Sequence, residues 1–242
     1  MAGLNKMQMQ VWGNNKTNSY LKNLLTYYRF EETAGTTVYD FKGDHNGTNQ
    51  GATIGDTGTV GKCYSFDGVN QRIRCFAGLG LASNPFPFTI KFNVYLNGLM
   101  GIQPFVGSYG TAGNYAGYSI YGNNQKLRIL FGNNLSGTSS GVRIYETTNN
   151  VLAIGWNYIT VKCTDFYTVE VFVNGVLNAA PYLLGGATTY SSGLSQKDLM
   201  HWGKIVVYTQ GKMDELGVWN RLLTNGEITN AYTKESTGIS IL

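Results

Sequence analysis

"FPFTIKFNVYL" runs from Phe86 to Leu96. Its apolar side chains fall at every second position: Phe88, Ile90, Phe92, Val94 and Leu96. Thr89, Lys91, Asn93 and Tyr95 fall between them. Successive side chains of a strand point to opposite faces, so the stretch predicts a strand with one buried face. The same period returns in "TVEVFVNGVL", where Val169, Val171 and Val173 share a side and Asn174-Gly175 supplies a type I′ hairpin signal. "KLRILF", "NYITVKC", "YSFDG" and "KIVVY" read as further strands. The unpatterned stretches 107–117, 132–141 and 178–198 are expected to be loops, where such a scaffold carries function. Many strands without intervening helical patterns predict an all-β protein, a two-sheet antiparallel sandwich.

One helix is expected near the C-terminus. Thr224 and Glu227 form a capping box, and Ile228, Ala231 and Tyr232 mark one face at helical spacing. About two turns, packed on the sandwich edge, would satisfy that pattern.

The chain has 242 residues, room for one large all-β domain or two small ones. Only 13% of them are charged, against roughly 25% in an average soluble domain. The net charge of +4 is spread thinly, with no basic stripe, which argues against nucleic acid as a partner. No apolar stretch is long enough to insert in a membrane. "MAGLNKMQMQVWGNN" lacks the apolar region of a signal peptide, so the chain is expected to act without secretion, or after loss of a leader. Residues 1–23, rich in Asn, Lys and Gln, read as an arm, with Trp12 as an anchor; 24–235 read as the domain and 236–242 as a tail.

Cys63, Cys75 and Cys163 are odd in number, which argues against a disulfide framework. In "KCYSFDG" the apolar positions are Tyr64 and Phe66, so Cys63 faces away from them. In "QRIRCF" Ile73 and Cys75 share a face opposite Arg72 and Arg74. Across a hairpin Cys75 would therefore meet Tyr64, and free thiols are expected.

Several segments, in order, resemble the laminin-G-like branch of the concanavalin A-like lectin/glucanase superfamily. "LLTYYRFEETAGTTVYDFKGDHNGT" resembles the family's opening strand and its following loop. "GKCYSFDGVNQRIRC" is similar to its next hairpin, and "FPFTIKFNV" to the strand that usually carries Trp where Phe92 stands. "GWNYITVKCTDFYTVEVFVNGVL" resembles the Trp-led strand and hairpin, with Phe172 for the usual Tyr. "GKMDELGVWNRLLTNGEITNAY" resembles the closing strand and its capped helix. The fold this implies is a concanavalin A-like jelly roll.

The closing strand sets Asp214 beside Glu215. As neighbours on a strand they are expected to face opposite ways, whereas two-carboxylate glycosidases hold their acids roughly 5–9.5 Å apart across one bond. The catalytic relatives carry Glu-x-Asp-x-x-Glu on one strand, and no such run occurs here. His45 and His201 lack a Ser or Cys partner. An enzyme is not expected. The resemblance implies one structural calcium, held by Asp40 and Asp214 with oxygens from Asp44, Asn46 or Gly47; the other reading of these acids is turn stabilisation and backbone capping.

Glycan binding is the family's familiar activity. The tyrosines Tyr109, Tyr115, Tyr145 and Tyr190 are the candidate glycan platform, with Tyr118 and Tyr121 nearby; the competing reading of each is packing. Trp156, Trp202 and Trp219 lie in strands and read as core. Asn15, Asn46 and Asn134 match the N-glycosylation rule, which an Asn- and Thr-rich chain meets by chance.

The leading expectation is a non-catalytic structural or interaction module of a virion, a capsid decoration, fibre or attachment protein of a phage. It would join other virion proteins through its arm, form a homo-oligomer and bind a surface glycan. The alternatives are a secreted, extracellular carbohydrate-binding module and a glycoside hydrolase of the same fold.

Overall fold

A computed structural model describes residues 18–75, 79, 81, 85–108, 115–135, 138–190, 197–202 and 207–242. Two antiparallel sheets pack face to face, as the alternation predicts. The first has the order Val176–Asn178, Val169–Val173, Gly155–Cys163, Phe88–Leu96, Gln210–Trp219, Lys62–Asp67, Thr53–Thr57, and Leu24–Tyr28 also pairs with the Gln210–Trp219 closing strand. The second has the order Tyr182–Leu184, Val142–Glu146, Lys126–Asn133, Ala116–Asn123, Ile102–Ser108, Lys197–Leu199, Arg72–Cys75, Gly47–Gln50, Thr37–Val38. His201–Trp202 and Val207–Tyr208 form a separate small ladder.

The core lies between the sheets. Phe88, Ile90, Phe92, Val94 and Leu96 all enter it, opposite Phe105, Ile120, Leu127, Ile129 and Phe131 of the second sheet. Val171 and Val173 enter it too, and Asn174 and Gly175 take the positive φ values that the hairpin turn requires. Cys63, Cys75 and Cys163 are free and buried.

Several expectations are corrected. The strand Phe88–Leu96 buries both faces, because Thr89, Lys91 and Asn93 are also buried. What covers them is a second cluster on the outer face of the first sheet, made by Tyr20, Tyr27, Phe172, Trp219, Leu223, Ile228, Ala231 and Ile241. The helix, Asn225–Glu235, therefore lies on that face rather than at an edge, and it is 11 residues long. Its capping box is present as read.

"GKCYSFDGVNQRIRC" is not a hairpin: Lys62–Asp67 pairs in the first sheet and Arg72–Cys75 in the second. A polar turn that reverses a chain within one sheet looks the same in sequence as one that carries it across the sandwich. Tyr64 and Cys75 are thus core neighbours from facing sheets, not cross-strand partners. Trp219 is fully buried, but Trp156 is only half-buried, edge-on to Tyr95 on the outer face.

Residues 18–23 and the C-terminal residues pack as parts of the domain. Trp219 Nε1 donates to the Tyr20 carbonyl at 2.6 Å, Tyr20 Oη donates to the Glu227 carbonyl at 2.6 Å, and Asn18 Nδ2 donates to the Ile241 carbonyl at 2.8 Å. Residues 1–17 of the expected arm, with Trp12 and Asn15, lie outside the described residues.

Candidate functional site

Met213 and Leu216 both face the inter-sheet core, although a regular strand would put residues three apart on opposite faces. The ladder to Phe88–Leu96 slips by one residue between Asp214 and Gly217, and Glu215 has a φ of +49°. This bulge turns Asp214 and Glu215 to the same outer face, beneath the helix, which corrects the expectation that they oppose each other.

There they meet Glu235 from the last turn of the helix. All three carboxyls have no exposed surface. Lys91 Nζ pairs with Glu235 Oε2 at 2.5 Å, and Asn93 Nδ2 donates to the same oxygen at 2.9 Å. Tyr27 Oη donates to Glu215, and Ser240 Oγ donates to Glu215 Oε2 at 3.1 Å. Asp214 Oδ2 accepts from Thr59 N (2.8 Å), Thr59 Oγ1 (2.8 Å) and Val60 N (3.0 Å). Burial pushes the Asp214 carboxyl up to about 7 despite these three donors. Glu215 is raised by burial and by the neighbouring Glu235 and Asp214 charges. The cluster ties the helix, the Leu24–Tyr28 strand and Ser240 to the sheet, and it is sealed from solvent.

Asp40 and Asp214, the side chains that the resemblance implies for a calcium, lie in separate hydrogen-bond networks. The Asp40 carboxylate is taken up by backbone N–H groups of Tyr27 (2.8 Å), Lys42 (3.3 Å), Asp44 (3.2 Å) and His45 (3.1 Å). Asn46 Oδ1 accepts from Asp40 N at 2.9 Å, and Asp44 sits on the surface beside Lys42. Asp40 and Asp214 share no hydrogen-bond partner, and among the described residues no three His, Cys, Asp or Glu side chains gather as a metal site. Asp40 is the organiser of its loop.

The described tyrosines of the expected platform, Tyr115, Tyr145 and Tyr190, pack into the protein. Tyr145 is buried, with its hydroxyl donating to the Phe166 carbonyl at 3.0 Å. Tyr190 packs against Phe86, Phe131 and Phe166, and burial pushes its phenol well above the ordinary range. Tyr115 is half-buried against the small cluster of Tyr121, Leu130, Val142 and Ile144. Tyr109 lies outside the described residues.

Two polar features were not anticipated. Arg72 and Arg74 share the outer face of the second sheet, as their alternation predicts, and converge on buried Asp198, whose Oδ2 is 3.0 Å from His201 Nδ1. The His201 ring stacks on Tyr208 at 4.2 Å. The sequence signal was the Arg-x-Arg alternation, but its partner Asp198 comes from more than a hundred residues away.

The second feature is an open cleft of about 280 Å³. It is lined by the 123–126 turn, Arg128, Glu146 and Asn150. Arg128 Nε and Lys126 Nζ both pair with Glu146, at 2.5 and 3.4 Å. Against the cost of burial, these two cations hold the Glu146 carboxyl below its ordinary range. Three asparagines and a glutamine complete the wall, so the surface offers donors and acceptors in planar pairs. The role of Asn123, Asn124 and Gln125 as a wall depends on Asn150 from another loop.

The model of the concanavalin A-like lectin/glucanases superfamily, laminin G type, matches residues 67–229, more than half of the chain. The chain belongs to this family. By sequence, no curated protein matches it. Among solved structures it is similar to a Trypanosoma rangeli sialidase in complex with the inhibitor DANA, at a TM-score of 0.68 and 13% identity. That match covers 97% of this chain and 39% of the sialidase. It is also similar to the binding domain of botulinum neurotoxin DC in complex with rat synaptotagmin II, at a TM-score of 0.63 and 10% identity, over 88% of this chain and 52% of the other. The chain thus spans about two-fifths to a half of these proteins, and the likeness is one of fold.

Proposed function

We propose that this laminin-G-like domain is a non-catalytic recognition module that holds a surface glycan in the amide-lined cleft. We place it on a virion, as a capsid decoration, fibre or attachment protein. The observation that carries the reading is the composition of the cleft. Glycans are bound by planar polar side chains that pair with adjacent hydroxyls, and the cleft wall is made of amides, two cations and a carboxylate. Burial of Asp214, Glu215 and Glu235 supports a non-catalytic role, since these acids are committed to holding the helix. A jelly roll serves capsids and lectins alike, so the fold is compatible with display on a particle.

A glycan array with the full chain tests the reading. Binding is expected, and Gln125→Ala with Asn150→Ala, both at exposed positions, is expected to weaken it by about 1–3 kcal/mol, the net value of two hydrogen bonds. An array without a single bound saccharide would sink the proposal.

A further inference from the structure

A third polar feature lies at the open edge of the sandwich. Arg143 sits on the Val142–Glu146 strand, beside the edge strand Tyr182–Leu184. Its guanidinium carbon lies 4.4 Å from the ring centre of Tyr182 and 4.6 Å from that of Tyr167. Buried Tyr145 and Phe166 back it at 5.5 and 5.7 Å. Arg143 Nε donates to Tyr145 Oη at 2.7 Å.

The two outer rings are fixed. Tyr167 Oη donates to the Thr188 carbonyl at 2.9 Å, and Tyr182 Oη donates to the Gly185 carbonyl. Yet Tyr167 is 55% and Tyr182 46% exposed. Rigid, half-exposed aromatic rings are costly to leave in water and suited to stacking. The cation between them lacks a counter-ion. Every Asp and Glu of the chain lies among the described residues, and none forms an ion pair with Arg143. The nearest in sequence on the neighbouring loop, Asp165, is turned to the backbone N–H of Tyr167 at 2.7 Å. A guanidinium fork is built for a planar anion, and a held fork loses little freedom on meeting one.

We infer that Arg143, held between Tyr167 and Tyr182, is a subsite for the carboxylate or sulfate of an acidic saccharide. The inference rests on the reading of the domain as a saccharide-binding module. It adds the class of sugar and a place for the charge. Arg143 and Glu146 stand three residues apart on one strand and so face opposite ways, which keeps this subsite separable from the cleft.

Titration calorimetry of the full chain with three sets of oligosaccharides tests it: neutral, uronate-bearing and sulfated. At least one acidic set is expected to bind more tightly than the neutral set by roughly ten- to a hundredfold, the range of a charge-assisted hydrogen bond. Which acidic set does so identifies the anion. Arg143→Gln is expected to erase that preference. Tyr167→Ala, on an exposed turn, is expected to weaken acidic binding without loss of the folded state, checked by thermal melting. Equal binding of neutral and acidic sets, or a preference that survives both variants, overturns the subsite and leaves the cleft reading standing. Binding of none of the three sets overturns both.

Discussion

At the scale of the residue, Asp214 shows how burial overrides local hydrogen bonding. Three donors favour its charged form, but removal from water raises its pKa from the ordinary 3.8 to about 7. The folded state therefore keeps a proton that the unfolded chain gives up near pH 4. Stability from this group is complete below pH 3.8, falls as pH rises toward 7, and is level above it. Asp214→Asn removes the titration. The difference in unfolding free energy between wild type and variant is expected to shift by on the order of 1–4 kcal/mol across that window, measured by urea denaturation at a series of pH values. A difference that stays constant from pH 4 to 7 would show that the carboxyl is ionised throughout.

At the scale of the element, the helix is held by both of its ends. Its start is fixed by the capping box and by Arg221, whose forked hydrogen bonds hold the Glu227 carboxyl down to about 2. Its last turn is fixed by Glu235 on Lys91. Lys91→Met strands a buried carboxylate and is expected to cost about 3–5 kcal/mol, read as a lowered denaturant midpoint; the double variant with Glu235→Gln should recover much of that loss. A single variant with an unchanged midpoint would show that the Lys91–Glu235 pair does not hold the last turn. What was legible here follows from period and local chemistry. The core face of Phe88–Leu96, the Asn174-Gly175 turn and the Thr224–Glu227 cap are each decided within a few residues. The bulge at Glu215 was not legible, because a non-glycine residue carries no local sign of a positive φ. The covered outer face was not legible either. Its cover comes from Tyr20 and Ile228, which lie far along the chain from Lys91. The same limit hid the two sites: Tyr167 and Tyr182 become a pair only when the sandwich edge brings a turn and an edge strand to Arg143.

At the scale of the whole molecule, the proposed cleft and the proposed edge subsite both lie on the second sheet. The outer face of the first sheet is closed by the helix. The virion proposal adds that residues 1–17 attach the domain to its assembly. Deleting them is expected to reduce oligomerisation by light scattering and incorporation into particles, with the melting temperature as the check that the fold survives. Full incorporation of the truncated chain would remove the arm from the proposal.

The bond from Asn18 Nδ2 to the carbonyl of Ile241 has a consequence for the way such a unit is used. It joins the entry and exit points of the described chain within one hydrogen bond of each other. A unit with coincident entry and exit can be spliced into a surface loop of a host polypeptide without prying that loop apart, because no span has to be bridged. The geometry makes the domain portable: it can be grafted whole, at one point of attachment.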